Sequence, residues 1–156
     1  MKIHLVSDLH LEFAPYTHKA PPGTDVIVAA GDITSGDHGT LSLRKIFGPD
    51  IPIIYIAGNH EFYHGDFFEI MNGINDNALT DNVHFMGASN AFGPSMAGVV
   101  VIDGVTFFGG TGWTNFNLYG GRKRDYSMMY AQASINDYRI VTYQNKILTP
   151  KDTLAM

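Results

Sequence analysis

Five polar residues follow three short apolar runs, each at the point where a run ends. They are, in chain order, Asp8, His10, Asp32, Asn59 and His60. The first two follow the run IHLV, the third follows DVIVAA, and the last two follow PIIYIA. Carboxylate, imidazole and amide oxygen are ligands suited to hard or borderline cations such as Mn²⁺, Fe or Zn²⁺. This set of residue types therefore indicates a hydrolytic centre built on two divalent metal ions.

The apolar runs and their spacing predict the elements that would position these residues. Strands are predicted at Ile3–Val6, 25–30 and 52–57, and helices at 40–47 and 66–79. Shorter strands are predicted at 83–86, 98–102 and 105–108, the last two joined by a tight turn at Asp103-Gly104. Alternating strands and helices followed by hairpins predict an α/β (α+β) fold, with a mixed sheet or two stacked sheets and helices outside.

The five polar residues are expected to converge in space. Ligands in open α/β sheets gather at the carboxyl ends of parallel strands, and steps of about 25 residues match one strand with its crossover. Each residue also has a structural interpretation: Asp8 in a turn, Asp32 as a helix cap, Asn59 in left-handed backbone and His10 on the surface. Metal-type ligands at three consecutive strand ends favour the functional interpretation.

Composition narrows the class of protein. The chain has 156 residues, of which 45% are apolar and 16% charged, so residues 1–156 are expected to form one globular domain. A net charge of −5 argues against a general polyanion-binding surface, and the lack of cysteine excludes disulfides and thiolate metal sites. No apolar run approaches the ~18 residues of a membrane span. We expect a cytoplasmic protein without a membrane partner.

Three motifs carry a family resemblance. The segments SDLH, AGDI and GNHE resemble the D-x-H, G-D and G-N-H-[DE] motifs of the calcineurin-like metallophosphoesterases, in the same order. The later segments GGTGWTNFNLYG, INDYR and LTPKDTLA resemble a compact bacterial and phage branch of that family. The resemblance implies a β-sandwich of mixed sheets flanked by helices, and a metal-dependent phosphoester hydrolase.

The resemblance also implies a role for each residue of the set. Asp8 and His10 would bind the first metal, Asp32 would bridge both metals, and Asn59 would bind the second. His60 would face the substrate and assist the leaving-group oxygen as a general acid. Two cations ~3.5–4 Å apart would lower the pKa of a water between them and hold the phosphoryl oxygens. Mn²⁺ is the expected metal, with Fe or Zn²⁺ as alternatives.

Two later family motifs have no counterpart in the chain. The family pattern continues with a further metal-binding histidine and a terminal G-H-x-H motif, whereas no histidine follows His84. The segment LTPKDTLAM begins like a capped helix, with Thr149 as N-cap, Pro150 at the first position and Asp152 completing a capping box. Because this helix has barely two turns, the sequence is expected to be the N-terminal part of such a domain.

Two functions therefore stay open at this stage. One is a phosphoester hydrolase whose substrate is a phosphoprotein, a nucleotide or a nucleic acid. The other is a catalytically incomplete fragment that binds a partner, either a separate C-terminal half or a second copy of itself.

Three further features are less specific. The basic cluster Arg122-Lys123-Arg124 is interpreted as a solvated charged turn, with contact to an anionic substrate as the alternative. Trp113 and Phe116 are candidates for stacking on a substrate ring or for core packing. His64 lies four residues after His60 and is interpreted as a surface histidine, although a helix would place both on one face.

Overall fold

The computed structural model describes residues 1–78, 82–87, 89–90, 93–94 and 97–156. The strands are β1 (Ile3–Val6), β2 (Val26–Ala30), β3 (Ile53–Ile56), β4 (Val83–Phe85), β5 (Ser89–Asn90), β6 (Gly93–Pro94), β7 (Ala97–Ile102), β8 (Val105–Gly110), β9 (Thr142–Tyr143) and β10 (Lys146–Ile147). The helices are α1 (Gly39–Phe47), α2 (Phe67–Ala78), α3 (Arg124–Ser134), α4 (Asp137–Ile140) and α5 (Pro150–Ala155). Single 3₁₀ turns lie at His60–Phe62 and Gly121–Lys123.

The first four strands form one parallel sheet in the order β1-β2-β3-β4. Helix α1 connects β2 to β3, and helix α2 connects β3 to β4. All four strands run in one direction, so their carboxyl ends lie along one edge of the sheet. The residues that follow β1, β2 and β3 are therefore neighbours at that edge.

Alternate side chains of the central strands face two different layers. On β2 and β3, Ile27, Ala29, Ile53 and Tyr55 are fully buried in the main core, which includes residues of α1 and α2. This alternation is the period-2 geometry of a strand, and burial on both faces explains why these strands are almost continuously apolar.

The opposite face of the sheet packs against the antiparallel hairpin of β7 and β8. Ile54 and Met86 are buried in this second core, and Val100, Ile102 and Phe107 of the hairpin pack against them. The intervening side chains of the hairpin point away from the sheet. The parallel sheet and the hairpin therefore form two stacked layers, with the helices on the outer side of the parallel sheet.

The hairpin leaves part of this face uncovered on β1. In the parallel register, Ile3 lies opposite Val26 and Leu5 opposite Val28, which places both on the hairpin side of the sheet. Ile3 is 50% exposed and Leu5 is 65% exposed. Since β1 pairs only with β2 among the described strands, this edge presents both apolar side chains and unpaired backbone groups.

The predicted architecture is confirmed, with small shifts at the ends of elements. Helices α1 and α2 start or end one residue from the predicted bounds, and Leu79, the predicted last residue of the second helix, lies outside the described residues; α3 and α4 were not predicted. The capping box is present: Thr149 Oγ1 accepts from the Asp152 N–H, and the Asp152 carboxylate accepts from the Thr149 N–H. None of the helices in the described ranges is long and apolar enough to cross a membrane.

Candidate metal centre

Backbone hydrogen bonds lay the segment after β1 against the segment after β2. The N–H groups of Asp8, His10 and Leu11 donate to the carbonyls of Gly31, Asp32 and Ile33, respectively, at 2.9–3.0 Å. The parallel pairing of the two strands thus continues into the loops beyond them. As a result, the side chains that follow β1 reach the same place as the side chain of Asp32.

Three of the predicted metal ligands have left-handed backbone conformations. The φ angles are 54° at Asp8, 45° at His10 and 53° at Asp32. Such conformations are unfavourable for residues with a Cβ atom and cluster at functional sites, where the surrounding structure maintains them. Here the loop–loop hydrogen bonds supply that support.

Glycines allow the ends of β2 and β3 to approach each other closely. A Cβ atom on Gly58 would lie 2.2 Å from Asp32 Oδ1, and one on Gly31 would lie 2.9 Å from Gly58 Cα. Glycine is therefore required in the G-D and G-N pairs, because neither glycine position has room for a side chain. The same approach brings Asp32 Oδ1 to 3.0 Å from the backbone nitrogen of His60, from which it accepts a hydrogen bond.

Asp8, His10 and Asp32 form a cluster with the geometry of a metal site. Each offers one ligand atom, and the three atoms all lie within 4.8 Å of one another. Asp8 is exposed, and its Oδ2 atom accepts a hydrogen bond from the Ser7 hydroxyl. Two carboxylates and an imidazole fit a hard or borderline divalent cation.

Glu12 contacts both histidines of the site. Its Oε1 atom lies 3.2 Å from His10 Nδ1 and 3.0 Å from His60 Nδ1, and the two imidazole rings meet edge to face at 4.3 Å between centroids. Burial opposes ionisation of Glu12, but hydrogen bonds from its own backbone and from the two histidines outweigh it, so the pKa of the carboxyl is lowered. An ionised Glu12 accepts both Nδ1–H groups, which leaves the Nε2 atom of each ring directed away from it.

Glu61 is a fully buried carboxylate behind the ends of β2 and β3. It accepts hydrogen bonds from the backbone N–H groups of Asp32 (3.1 Å), Ile33 (2.8 Å) and Gly58 (2.8 Å) and from the Tyr55 hydroxyl (2.9 Å). Burial raises the pKa of Glu61, and these hydrogen bonds oppose that shift. The carboxylate thus joins the two loops that carry the predicted ligands.

Asn59 is held by a second buried carboxylate, that of Asp137, which is 6% exposed. Asn59 Nδ2 donates to Asp137 Oδ1 at 2.8 Å and to the Tyr63 hydroxyl oxygen at 3.0 Å. Tyr63 donates to Asp137 Oδ1 at 3.0 Å, and the indole N–H of Trp113 donates to Asp137 Oδ2 at 3.1 Å. Burial and the charge of Asp137 raise the pKa of Tyr63 to about 12, so its hydroxyl remains a donor at neutral pH.

A cleft of about 550 Å³ opens beside Asn59. Its walls include Gly58, Tyr63, Thr111 and Trp113. Thr111 lies just after β8 and donates its hydroxyl to the carbonyl of Ala57 at 2.5 Å, which fixes this wall to the end of β3. The cleft gives a small molecule access to the side of the site at which Asn59 lies.

The remaining sequence candidates lie outside the cluster. His64 is exposed and follows the 3₁₀ turn with a φ of 63°, so it does not share a helical face with His60. Phe116 is buried in the main core, while Trp113 packs partly buried against Phe62 and Phe67. Core packing therefore accounts for Phe116, whereas Trp113 is shared between the core and the wall of the cleft.

The predicted ligands at three strand ends lie within the segment that matches a family model. The model of the calcineurin-like phosphoesterases matches residues 1–154. The chain belongs to the calcineurin-like phosphoesterase family. Searches of curated proteins and of solved structures found no significant match. Members of this family are metal-dependent hydrolases of phosphoesters, and the cluster of Asp8, His10 and Asp32 provides a candidate site for such a metal.

Sequence reasoning assigned no role to three carboxylates of this phosphoesterase site. Glu12 lies two residues after His10, and Glu61 is the last residue of the motif GNHE, so their places beside and within the motifs were the available signal. Asp137 lies 78 residues from Asn59 in the segment INDYR, which the family resemblance includes without a function. Glu61 and Asp137 contact the predicted ligands and their loops from behind, whereas Glu12 also offers a ligand atom within 4.8 Å of ligand atoms of His10 and His60.

We predict that Glu61→Gln lowers the free energy of unfolding by about 2–4 kcal/mol. Glutamine has one acceptor oxygen in place of two, and each buried donor left unsatisfied costs about 1–3 kcal/mol. Urea unfolding measures the loss, with Glu69→Gln on the exposed side of α2 as the control. A change as small as that of the control would show that Glu61 does not join the strand ends.

We predict that Glu12→Ala changes the tautomers of His10 and His60. Without the acceptor at Nδ1, the neutral rings should populate both tautomers, and Mn²⁺ affinity should fall about 10- to 100-fold. Side-chain ¹⁵N chemical shifts and Mn²⁺ titration measure the two effects. Asp37→Ala is the matched control, because Asp37 pairs with His38 Nδ1 at 3.1 Å. Unchanged ¹⁵N shifts in Glu12→Ala would contradict the orienting role.

Proposed function

We propose that the chain is a phosphatase or phosphodiesterase that hydrolyses phosphoesters at a centre of two divalent cations. Mn²⁺ is the proposed metal, with Fe or Zn²⁺ as alternatives. The observation that supports this most strongly is the cluster of ligand atoms from Asp8, His10 and Asp32, which lie within 4.8 Å of one another at the edge of a parallel sheet.

The donor set fits the proposed metals. Asp8, His10 and Asp32 would hold the first ion, and Asp32 together with Asn59 would hold the second. The contacts of Asn59 support this assignment, because its amide nitrogen is engaged on the side of Asp137 and its carbonyl oxygen is left for a cation. When bound, the cations supply positive charge that stabilises phosphoryl oxygens and lowers the pKa of water.

We assign His60 the role of assisting the leaving group. Its Nδ1–H faces Glu12, so its Nε2 atom is directed away from that carboxylate, and in the doubly protonated ring the Nε2–H can donate a hydrogen bond to a leaving oxygen. Water would attack phosphorus in line with that oxygen. The ring of Phe13 is 78% exposed and lies 6.5 Å from the His60 ring, which supports aryl esters as the first substrates to assay.

The natural substrate is proposed only as a class: a phosphoprotein, a nucleotide or a nucleic acid in the cytoplasm. Aryl phosphate monoesters and diesters separate the two kinds of ester chemistry. A net charge of −5 favours substrates that are recognised at the cations over those recognised by a broad basic surface.

We predict that Asp32→Ala abolishes Mn²⁺-dependent hydrolysis, because it removes a ligand from both ions. His60→Ala should slow turnover about 10²- to 10⁴-fold while Mn²⁺ stays bound, since general acid catalysis contributes about that factor. Steady-state assays with an aryl phosphate and Mn²⁺ titration after chelator treatment measure the two effects.

The control for these variants is His64→Ala, which changes an exposed histidine outside the cluster. It should match the unmodified chain in turnover and in metal affinity. Hydrolysis that survives Asp32→Ala would overturn the proposed centre.

A second candidate function is association, and the exposed apolar strip of Ile3 and Leu5 on β1 favours it. We propose that a second copy of the chain covers this strip. The strip lies on an edge strand with unpaired backbone groups. The β1 strands of two copies can therefore pair with each other in a symmetric contact. A separate C-terminal half is the other occupant that the same strip would accept.

We predict that the chain self-associates in light scattering after size exclusion, and that Leu5→Lys abolishes the association. A lysine there would place a charge in the apolar contact. Leu118→Lys is the matched control, because Leu118 is 86% exposed on a loop away from β1. A monomer at every concentration would overturn self-association and leave a separate polypeptide as the occupant of the strip.

A further inference from the structure

The carboxylate of Asp137 is the meeting point of three other segments. It lies at the first residue of α4 and receives hydrogen bonds from Asn59 after β3, from Tyr63 after the 3₁₀ turn and from Trp113 after β8. Its two oxygens are divided between them: Oδ1 accepts from Asn59 and Tyr63, and Oδ2 accepts from Trp113. The side chain is 6% exposed, so its charge is balanced by these donors.

The contacts fix which way the amide of Asn59 points. A side-chain amide nitrogen has two hydrogens, and here one is given to Asp137 Oδ1 and the other to the Tyr63 hydroxyl oxygen. Rotating the amide by half a turn would place its carbonyl oxygen against the carboxylate of Asp137. That arrangement loses a charge-assisted hydrogen bond and adds repulsion, so one orientation is selected.

We propose that Asp137 is a positioning residue that holds the carbonyl oxygen of Asn59 toward the second cation. This inference rests on the proposed function, since it assumes that Asn59 is a metal ligand. Tyr63 occupies the second amide hydrogen, and Trp113 holds Asp137 from the opposite side. The carboxylate thus sets the metal-binding face of a residue 78 positions away along the chain.

A purely structural role for Asp137 is the alternative that the experiment must separate. In that role, the carboxylate only ties α4 to the end of β3, and removing it changes stability without a specific effect on Asn59. Asp137→Asn suits this purpose because it keeps the size and shape of the side chain. Its amide carries no charge and has a single acceptor oxygen for donors on two sides, so it selects the orientation of the Asn59 amide less strongly than the carboxylate does.

The test is a double-mutant cycle on Mn²⁺ affinity. Titrations compare the unmodified chain, Asn59→Ala, Asp137→Asn and the double variant, with Asp125→Asn on α3 as the control for loss of one carboxylate charge. We expect Asp137→Asn to weaken the Asn59-dependent part of Mn²⁺ binding about 10- to 100-fold. In the Asn59→Ala background, Asp137→Asn should have no further effect, because its action passes through the amide.

The outcomes distinguish this inference from the proposed function. If Asp32→Ala and Asn59→Ala weaken Mn²⁺ binding but Asp137→Asn binds like the unmodified chain, the positioning role is wrong and the metal centre stands. If Asp137→Asn weakens Mn²⁺ binding equally in the unmodified chain and in the Asn59→Ala variant, Asp137 has a structural role and the inference is also overturned. If the unmodified chain binds no Mn²⁺, or Asn59→Ala has no effect, the assumed ligand is wrong and both proposals fail.

If urea unfolding shows that Asp137→Asn does not fold, a second variant tests the inference in its place. Tyr63→Phe removes only the hydroxyl that accepts the second amide hydrogen. It should weaken the Asn59-dependent Mn²⁺ binding several-fold and leave the effect of Asp32→Ala unchanged. Binding equal to that of the unmodified chain would contradict the selected orientation of the amide.

Discussion

The buried carboxylate of Glu61 is the interaction on which the candidate centre depends. Removing a carboxylate from water costs several kcal/mol, and here four donors offset that cost. Three of these donors are backbone N–H groups from the loops after β2 and β3, so satisfying the charge also fixes the separation of those loops. The close approach of Gly31 and Gly58 then follows, and with it the contact between Asp32 and the backbone of His60.

The loop after β1 is fixed by a different interaction, namely backbone pairing with the loop after β2. Asp8, His10 and Asp32 each carry a left-handed backbone that costs on the order of 1–3 kcal/mol. The hydrogen bonds between the loops maintain these conformations, and each conformation turns a side chain toward the same point. The strain and the geometry of the predicted ligands therefore have one structural origin. This origin explains why three non-glycine residues adopt left-handed backbone conformations together.

The positions of the first three strands and the edge that carries the predicted ligands could be predicted from sequence, because both depend on local patterns. The apolar runs predict the strands, and the polar residues that end them predict the edge. The contacts of Asp137 were not predictable in this way, since a residue 78 positions from Asn59 gives no periodic or local signal. The exposure of Ile3 and Leu5 was equally unpredictable from sequence, because an apolar residue on a strand predicts burial. Only the extent of the hairpin decides whether β1 is covered.

Glu12 and Asp137 have the same effect on different predicted site residues, because each contacts one of two unlike faces. An imidazole and an amide each present two different faces, and a metal or a substrate can use only one of them. Glu12 accepts from the Nδ1 side of His10 and His60, whereas Asp137 accepts from the nitrogen side of Asn59. Carboxylate ligands such as Asp8 need no such partner to choose between faces, since both oxygens are acceptors. Both carboxylates therefore lie behind predicted site residues whose two faces differ, and in the proposed centre their placement indicates which face of each residue is directed into the site.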